Sequence, residues 1–189
     1  QRNSGYVREK EDWYCEPDWT VQLLFDNINF DDQAIYDPSC GRGNIPAVAT
    51  EYGFDTLASD IIDRGFPGVI VSDFLTADFS TMDFPPRLSV VMNPPYKHTE
   101  DFVRRALEIA DHRVAIIVPL SWLASSKRHE LFCEFPPSDV LVLSRRPSMP
   151  PGRKIEELGD KAFKSGMVDF CWIVWSRPHD RETRVRWVL

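Results

Sequence analysis

Read for the alternation of apolar and polar positions, the chain falls into short buried runs separated by amphipathic stretches. "DWTVQLLFDNI" sets Val21, Leu24, Phe25 and Ile28 at helical spacing, which predicts a helix near 19–28 with Asp18 as its N-cap. "QAIYDPSCGRGN" is a brief apolar run ending in a Pro and Gly turn, and "IPAVATEYG" after it reads as helix with Gly53 beyond its end. "FDTLASDI", "GVIVSDF" and "RLSVVMNPPY" are three further runs with the look of buried strands. In "TEDFVRRALEIAD", Phe102, Val103, Ala106, Leu107 and Ala110 share one helical face. "RVAIIVPL" predicts a strand, "SWLASSKRHELFCEF" a helix, "DVLVLS" a strand, and "MVDFCWIVWS" the longest and most aromatic strand, with the tail "TRVRWVL" placed to pair beside it.

Strands that alternate with helices require mostly parallel pairing, so the expected fold class is α/β, a three-layer α/β/α sandwich. In such a sheet a ligand lies at the carboxyl edge, where the strand order reverses. The length of 189 residues fits one domain over 1–189. "RRPSMPPGR" reads as a loop between core strands, and 145–166 as a stretch that would touch substrate.

Composition and charge narrow the functional classes. Hydrophobic residues make up 43% of the chain, enough for a core. The chain lacks an apolar run of about 20 residues, so no membrane partner and a cytoplasmic location are expected. Cys15, Cys40, Cys133 and Cys171 stand far apart with no CxxC pair, so neither a metal site nor a disulfide framework is expected. The net charge of −7 argues against binding nucleic acid by bulk charge, yet it is unevenly spread. Residues 1–100 hold 7 basic against 17 acidic residues, and residues 101–189 hold 15 against 12. Arg145, Arg146, Arg153, Lys154, Lys161 and Lys164 interleave with Pro, Gly and Ser as in an exposed loop that could touch a polyanion; Arg145, Arg146, Arg153 and Lys154 are the candidate substrate contacts, and Lys97 is a candidate phosphate contact.

The sharp motifs all end strands. "DPSCGRGN" closes the first with Asp37 and a loop whose Gly41 and Gly43 let backbone approach a ligand at a helix start. It has neither GxGxxG nor GKS/T, which disfavours a pyrophosphate or a nucleoside triphosphate. Asp37 instead suits an ammonium group. Asp60 ends the second run, where an acid commonly takes a ribose diol. Asp73 and Phe74 end the third, a carboxylate for an adenine amino group and a ring for its face. Each alone reads as a turn residue, whereas three acids at successive strand ends suit one nucleoside. "NPPY", Asn93 to Tyr96, is the most specific feature. Pro94 and Pro95 stiffen the turn, so the Asn93 side chain and the Pro94 carbonyl would face one cavity with Tyr96 covering it. Two acceptors and an aromatic plate suit a planar substrate with an NH2 group, whose delocalised lone pair becomes available when its protons are bonded.

"DPSCGRGN", "SDI", "SDF" and "NPPY", in this order, resemble the class I S-adenosylmethionine-dependent amino-methyltransferases, most of all the DNA adenine-N6 methyltransferases, including small phage-type versions. "WYCEP", Trp13 to Pro17, resembles the segment those enzymes place before the glycine loop, with Glu16 where Thr is usual. The resemblance implies a Rossmann-like, mostly parallel seven-stranded sheet with an antiparallel last strand. It also implies S-adenosyl-L-methionine as cofactor, held by Tyr14, Pro17, Asp37, Ser39, Cys40, Gly41, Asp60, Ile61, Asp73 and Phe74. Asn93, Pro94, Pro95 and Tyr96 would form the transfer pocket, with adenine N6 of DNA as acceptor. The DNA would be flipped open or single-stranded. RNA bases and protein glutamine are the alternative acceptors. A homodimer or a recognition subunit is a possible partner, since the chain has no large target-recognition region. A different class of reading is a cofactor-binding subunit that transfers nothing on its own.

Overall fold

The computed structural model describes residues 13–31, 34–80, 84–164, 166–179 and 182–189. The elements in chain order are α1 (Asp18–Asn27), β1 (Ile35–Asp37), α2 (Asn44–Glu51), β2 (Thr56–Asp60), β3 (Ile70–Val71), β4 (Ser89–Met92), α3 (Thr99–Ile109), β5 (Arg113–Pro119), α4 (His129–Glu134), β6 (Asp139–Leu143), α5 (Gly152–Leu158), β7 (Phe170–Ser176) and β8 (Arg184–Val188). They form one sheet in the order β3-β2-β1-β4-β5-β7-β6-β8. β1 to β5 pair in parallel, β7 runs antiparallel to both β5 and β6, and β8 is parallel to β6.

Alternate residues of the central strands serve two cores, as the period of two requires. Ile35, Val91, Ala115, Ile117, Leu141 and Trp172 face α1 and α2. Tyr36, Val90, Met92, Ile116, Val118, Val140 and Ile173 face α3 and α4. The three-layer α/β/α sandwich is therefore the observed architecture.

Five local expectations change. The sheet has eight strands, not seven, because the tail joins it; it pairs with β6 rather than with β7. Asp139, 4% exposed at the start of β6, accepts from Arg184 Nε at 3.3 Å and Arg186 Nη2 at 3.0 Å of β8, which fastens the added strand. The helix expected over 121–135 is broken into two 3₁₀ turns, Leu120–Leu123 and Ser126–Arg128, before α4. Extended Ser125, whose hydroxyl accepts from the Lys127 N–H, interrupts it, because short hydroxyl side chains compete with helical backbone bonds. Pro17 rather than Asp18 caps α1, and Asp18 sits in its first turn. Within 145–166, Pro151 leads into α5, followed by a 3₁₀ turn at Gly159–Ala162, so the expected loop is partly helical.

The α5 segment is tied to the residues before α1. Cys15 N–H donates to Pro150 O at 3.0 Å, and Gly152 N–H to Trp13 O at 3.1 Å. Across the β1–α2 turn, Gly43 has φ +87°, and a Cβ there would lie 1.9 Å from the Phe66 ring. Only glycine fits both demands.

Candidate active site

A cavity of about 450 Å³, within the range that holds cofactor-sized ligands, opens at the carboxyl ends of β1, β2 and β4. Its wall is assembled from segments far apart in sequence. Trp13 to Glu16 run along one side, the glycine loop Pro38 to Gly41 forms the floor, and Asp60, Ile61, Asp73 and Phe74 come from the β2 and β3 ends. Asn93, Pro95 and Lys97 come from the turn after β4.

Asn93 is the most constrained of these groups. Its Nδ2 donates to Tyr14 O at 3.0 Å and to Glu16 Oε2 at 2.9 Å, so both amide protons are consumed. Reversal of the amide would aim its oxygen at two acceptors, which fixes Oδ1 as the atom left for the cavity. The turn is also fastened to the glycine loop, since Ser39 Oγ donates to Asn93 O at 3.2 Å. Tyr96 stacks on Tyr14, with centroids 5.5 Å apart and planes 18° apart. Its ring therefore backs Tyr14 instead of standing in the cavity wall. Pro94 is buried beneath the turn.

The acids differ in placement. Asp37 is 2% exposed, lies behind the loop, and accepts from Ser39 N–H at 3.0 Å. Burial, then the neighbouring Glu16 charge, pushes its carboxyl well above the usual range. Glu16, 5% exposed, is pushed up to about 7 by burial, against the opposing effect of its bond from Asn93. Asp60 Oδ2 accepts from Gly41 N–H at 2.9 Å and its Oδ1 from Ile62 N–H at 3.0 Å, with Arg64 Nε 3.7 Å away. A carboxylate has about four acceptor positions, so each Asp60 oxygen keeps one for a ligand hydroxyl. Asp73 is exposed and accepts from Leu75 N–H at 3.0 Å; Phe74 is buried between Tyr36, Phe79 and Phe102 while lining the cavity.

These acceptors and walls fit a long ligand with a cationic end beside Glu16, a diol at Asp60 and a flat ring by Ile61 and Phe74, while Asp37 stands outside the cavity wall. Among the described residues no group of three His, Cys, Asp or Glu could hold a metal ion, and no helix is long and apolar enough to cross a membrane.

Of the other sequence-derived candidates, Pro17, Arg145 and Arg146 line a second cavity of about 570 Å³ on the far side of the 13–17 segment, with Trp19, Lys164 and Asp169. Arg145 lies over the Trp19 ring at 5.0 Å, and Arg146 Nε pairs with Asp169 Oδ1 at 2.6 Å. Arg153 and Lys154 line neither cavity; Lys154 Nζ is 2.7 Å from Glu157 Oε2 on α5. Sequence reasoning missed Trp13, Arg64 and the bond from Asn93 to Glu16. Arg64 lies over the Trp13 ring at 4.1 Å and closes the cavity beside Asp60. The one sequence signal for Glu16 is an acid where the resemblance has Thr.

Neither a protein-family model nor a curated protein matches the chain. Solved structures do. The 23S rRNA methyltransferase ErmE superposes with a TM-score of 0.55 at 15% identity, covering 89% of this chain and 71% of that one. The METTL16 methyltransferase domain gives 0.57 at 13%, covering 83% and 80%. The magnesium protoporphyrin IX methyltransferase of Synechocystis PCC 6803, solved with bound S-adenosylmethionine, gives 0.52 at 12%, covering 84% and 79%. The fold is that of the class I methyltransferases. At these identities the likeness is one of architecture; the acceptors those enzymes act on are their own.

Proposed function

We propose that the protein transfers a methyl group from S-adenosylmethionine to the exocyclic N6 of adenine in a nucleic acid strand. The observation that carries this reading is the Asn93 amide at the wall of an acid-lined cavity, whose two protons are taken by Tyr14 O and Glu16, leaving its oxygen as the group to accept from a ligand. The cofactor supplies an electrophilic methyl on a cationic sulfur. Glu16 and Asp60, both in the cavity wall, give that charge a favourable site, and Asp60 has acceptor capacity for its ribose. Asn93 Oδ1 accepts from the adenine amino group and holds the nitrogen lone pair toward the methyl. The N–CH3 bond would form as the S–CH3 bond breaks, leaving the neutral thioether, and the methylated nitrogen would lose its extra proton to water since neutral Asn93 does not take it, so acceleration comes from orientation.

Nucleic acid as acceptor is supported by the second cavity. Arg145, Arg146 and Lys164 against Asp169 make it basic on an acidic protein, and Pro17 joins its wall to the segment that lines the first. A base held at Asn93 would leave its strand running toward these cations. RNA fits at least as well as DNA, since ErmE and METTL16 share the architecture and the first acts on 23S rRNA.

The test is incubation with methyl-labelled cofactor and separate pools of single-stranded DNA, RNA and protein, followed by nucleoside analysis. Label in N6-methyladenine of one nucleic acid pool is expected, abolished by Asn93→Ala while cofactor affinity by titration calorimetry changes less than about fivefold, under ~1 kcal/mol. Label confined to protein overturns the reading.

A further inference from the structure

We infer that Glu16 is the positioning residue of the site, holding the Asn93 amide in the one orientation that presents its oxygen to the methyl acceptor. The inference rests on the proposed amine methylation for its purpose, but its geometry stands apart from it. Asn93 comes from the β4–α3 connection and Glu16 from the extended residues before α1, 77 positions apart. The amide can rotate by 180° at little intrinsic cost, and in the reversed state its NH2 would face the amine it must accept from. Tyr14 O alone opposes that reversal with one neutral bond. Glu16 adds a second acceptor for the same amide, and the two bonds together hold the reversed amide to a small fraction.

The setting of Glu16 argues against a purely structural role. Among the described residues, a carboxylate at 5% exposure has no cation that donates to it, and its neighbours Asp18 and Asp37 are both acids. Burying such a group is costly, so an apolar side chain would serve the fold better. The segment is nonetheless braced to keep it in place. Asn44 Nδ2 on α2 donates to Glu16 O at 3.2 Å and to Asp18 Oδ1 at 3.1 Å, and Cys15 N–H donates to Pro150 O. The backbone is pinned on both sides of a side chain that accepts from Asn93.

The test has two arms. In the full chain labelled with nitrogen-15, the Asn93 side-chain NH2 pair, identified by its loss in Asn93→Asp, is expected to be protected from exchange. Glu16→Leu, which fills the same buried space without an acceptor, should reduce that protection at least tenfold, while Glu16→Gln, which keeps an acceptor, should retain most of it. Glu16→Leu should also leave the melting temperature unchanged or higher, the opposite of losing a structural residue. In the second arm, with whichever adenine-containing oligonucleotide the wild type methylates, kcat should fall 10- to 100-fold in Glu16→Leu with KM for the oligonucleotide within about threefold. The double variant Glu16→Leu/Asn93→Ala should be no slower than Asn93→Ala. Protection unchanged in Glu16→Leu overturns the inference, as do additive losses in the double variant. A wild type that methylates no nucleic acid defeats the proposed function, and the exchange arm still decides Glu16.

Discussion

Gly152 stands where α5 meets the Trp13 ring, and a Cβ there would lie 2.1 Å from Trp13 Cε2. That is far inside contact distance, so Gly152→Ala has to displace either the ring or the helix start. Because Trp13 lines the cavity and carries Arg64 on its face, the displacement reaches the ligand site. A loss of about 1–3 kcal/mol in urea denaturation is expected, accompanied by weaker S-adenosylmethionine binding in calorimetry. Unchanged stability and affinity would show that Trp13 does not organise the site. At the same scale, "DPSCGRGN" and "NPPY" were legible as ligand-holding turns from Gly and Pro alone, since those residues restrict or free the backbone wherever they occur. The partner of Asn93 was not legible. Nothing in residues 13–17 announces which of 189 positions their side chains will meet.

Among the elements, α5 and its flanks carry the substrate argument. Of the cations the sequence places over 145–164, Arg145 and Arg146 border the second cavity, whereas Arg153 and Lys154 lie on α5 and line neither cavity. Lys164, beyond the helix, joins the first pair. Neutralising a cation that meets phosphate lowers the salt dependence of binding by roughly one counterion per contact. Arg145→Gln and Lys164→Gln are therefore expected to weaken single-stranded oligonucleotide binding and each to reduce the slope of log K against log salt by about 1, with cofactor affinity unchanged. Arg153→Gln should alter neither quantity. Equal effects from Arg153 and Arg145 in fluorescence anisotropy would move the substrate path off the second cavity. The broken helix after β5 teaches the complementary lesson. Apolar spacing proposed one helix over 121–135, and Ser125, capping a turn of its own, divided it.

For the molecule as a whole, the sheet's carboxyl edge gathers acids that burial holds above their ordinary titration range. Glu16 unfolds to an ordinary carboxyl near 4.5 and folds to one near 7, so the native state binds its proton more tightly. Between those values the folded chain holds more protons than the unfolded one, and stability falls as pH rises. The stabilisation is fully present below about 4.5 and lost above about 7, on the order of 3 kcal/mol for Glu16, with Asp37 acting in the same direction. Denaturation from pH 5 to 8 should show this decline, and Glu16→Gln should flatten it; parallel profiles for the two proteins would refute the burial effect. Cofactor binding should oppose the trend, because a cation favours the ionised carboxyls. By itself the sequence determined the α/β class, the two-faced strands and the turns that end them, since periodicity and Gly or Pro chemistry act over a few residues. Only the tertiary structure decided that β7 enters between β5 and β6, that the tail adds an eighth strand through Asp139, and that Glu16 grips Asn93. Those are contacts between distant segments, and they depend on how whole layers pack.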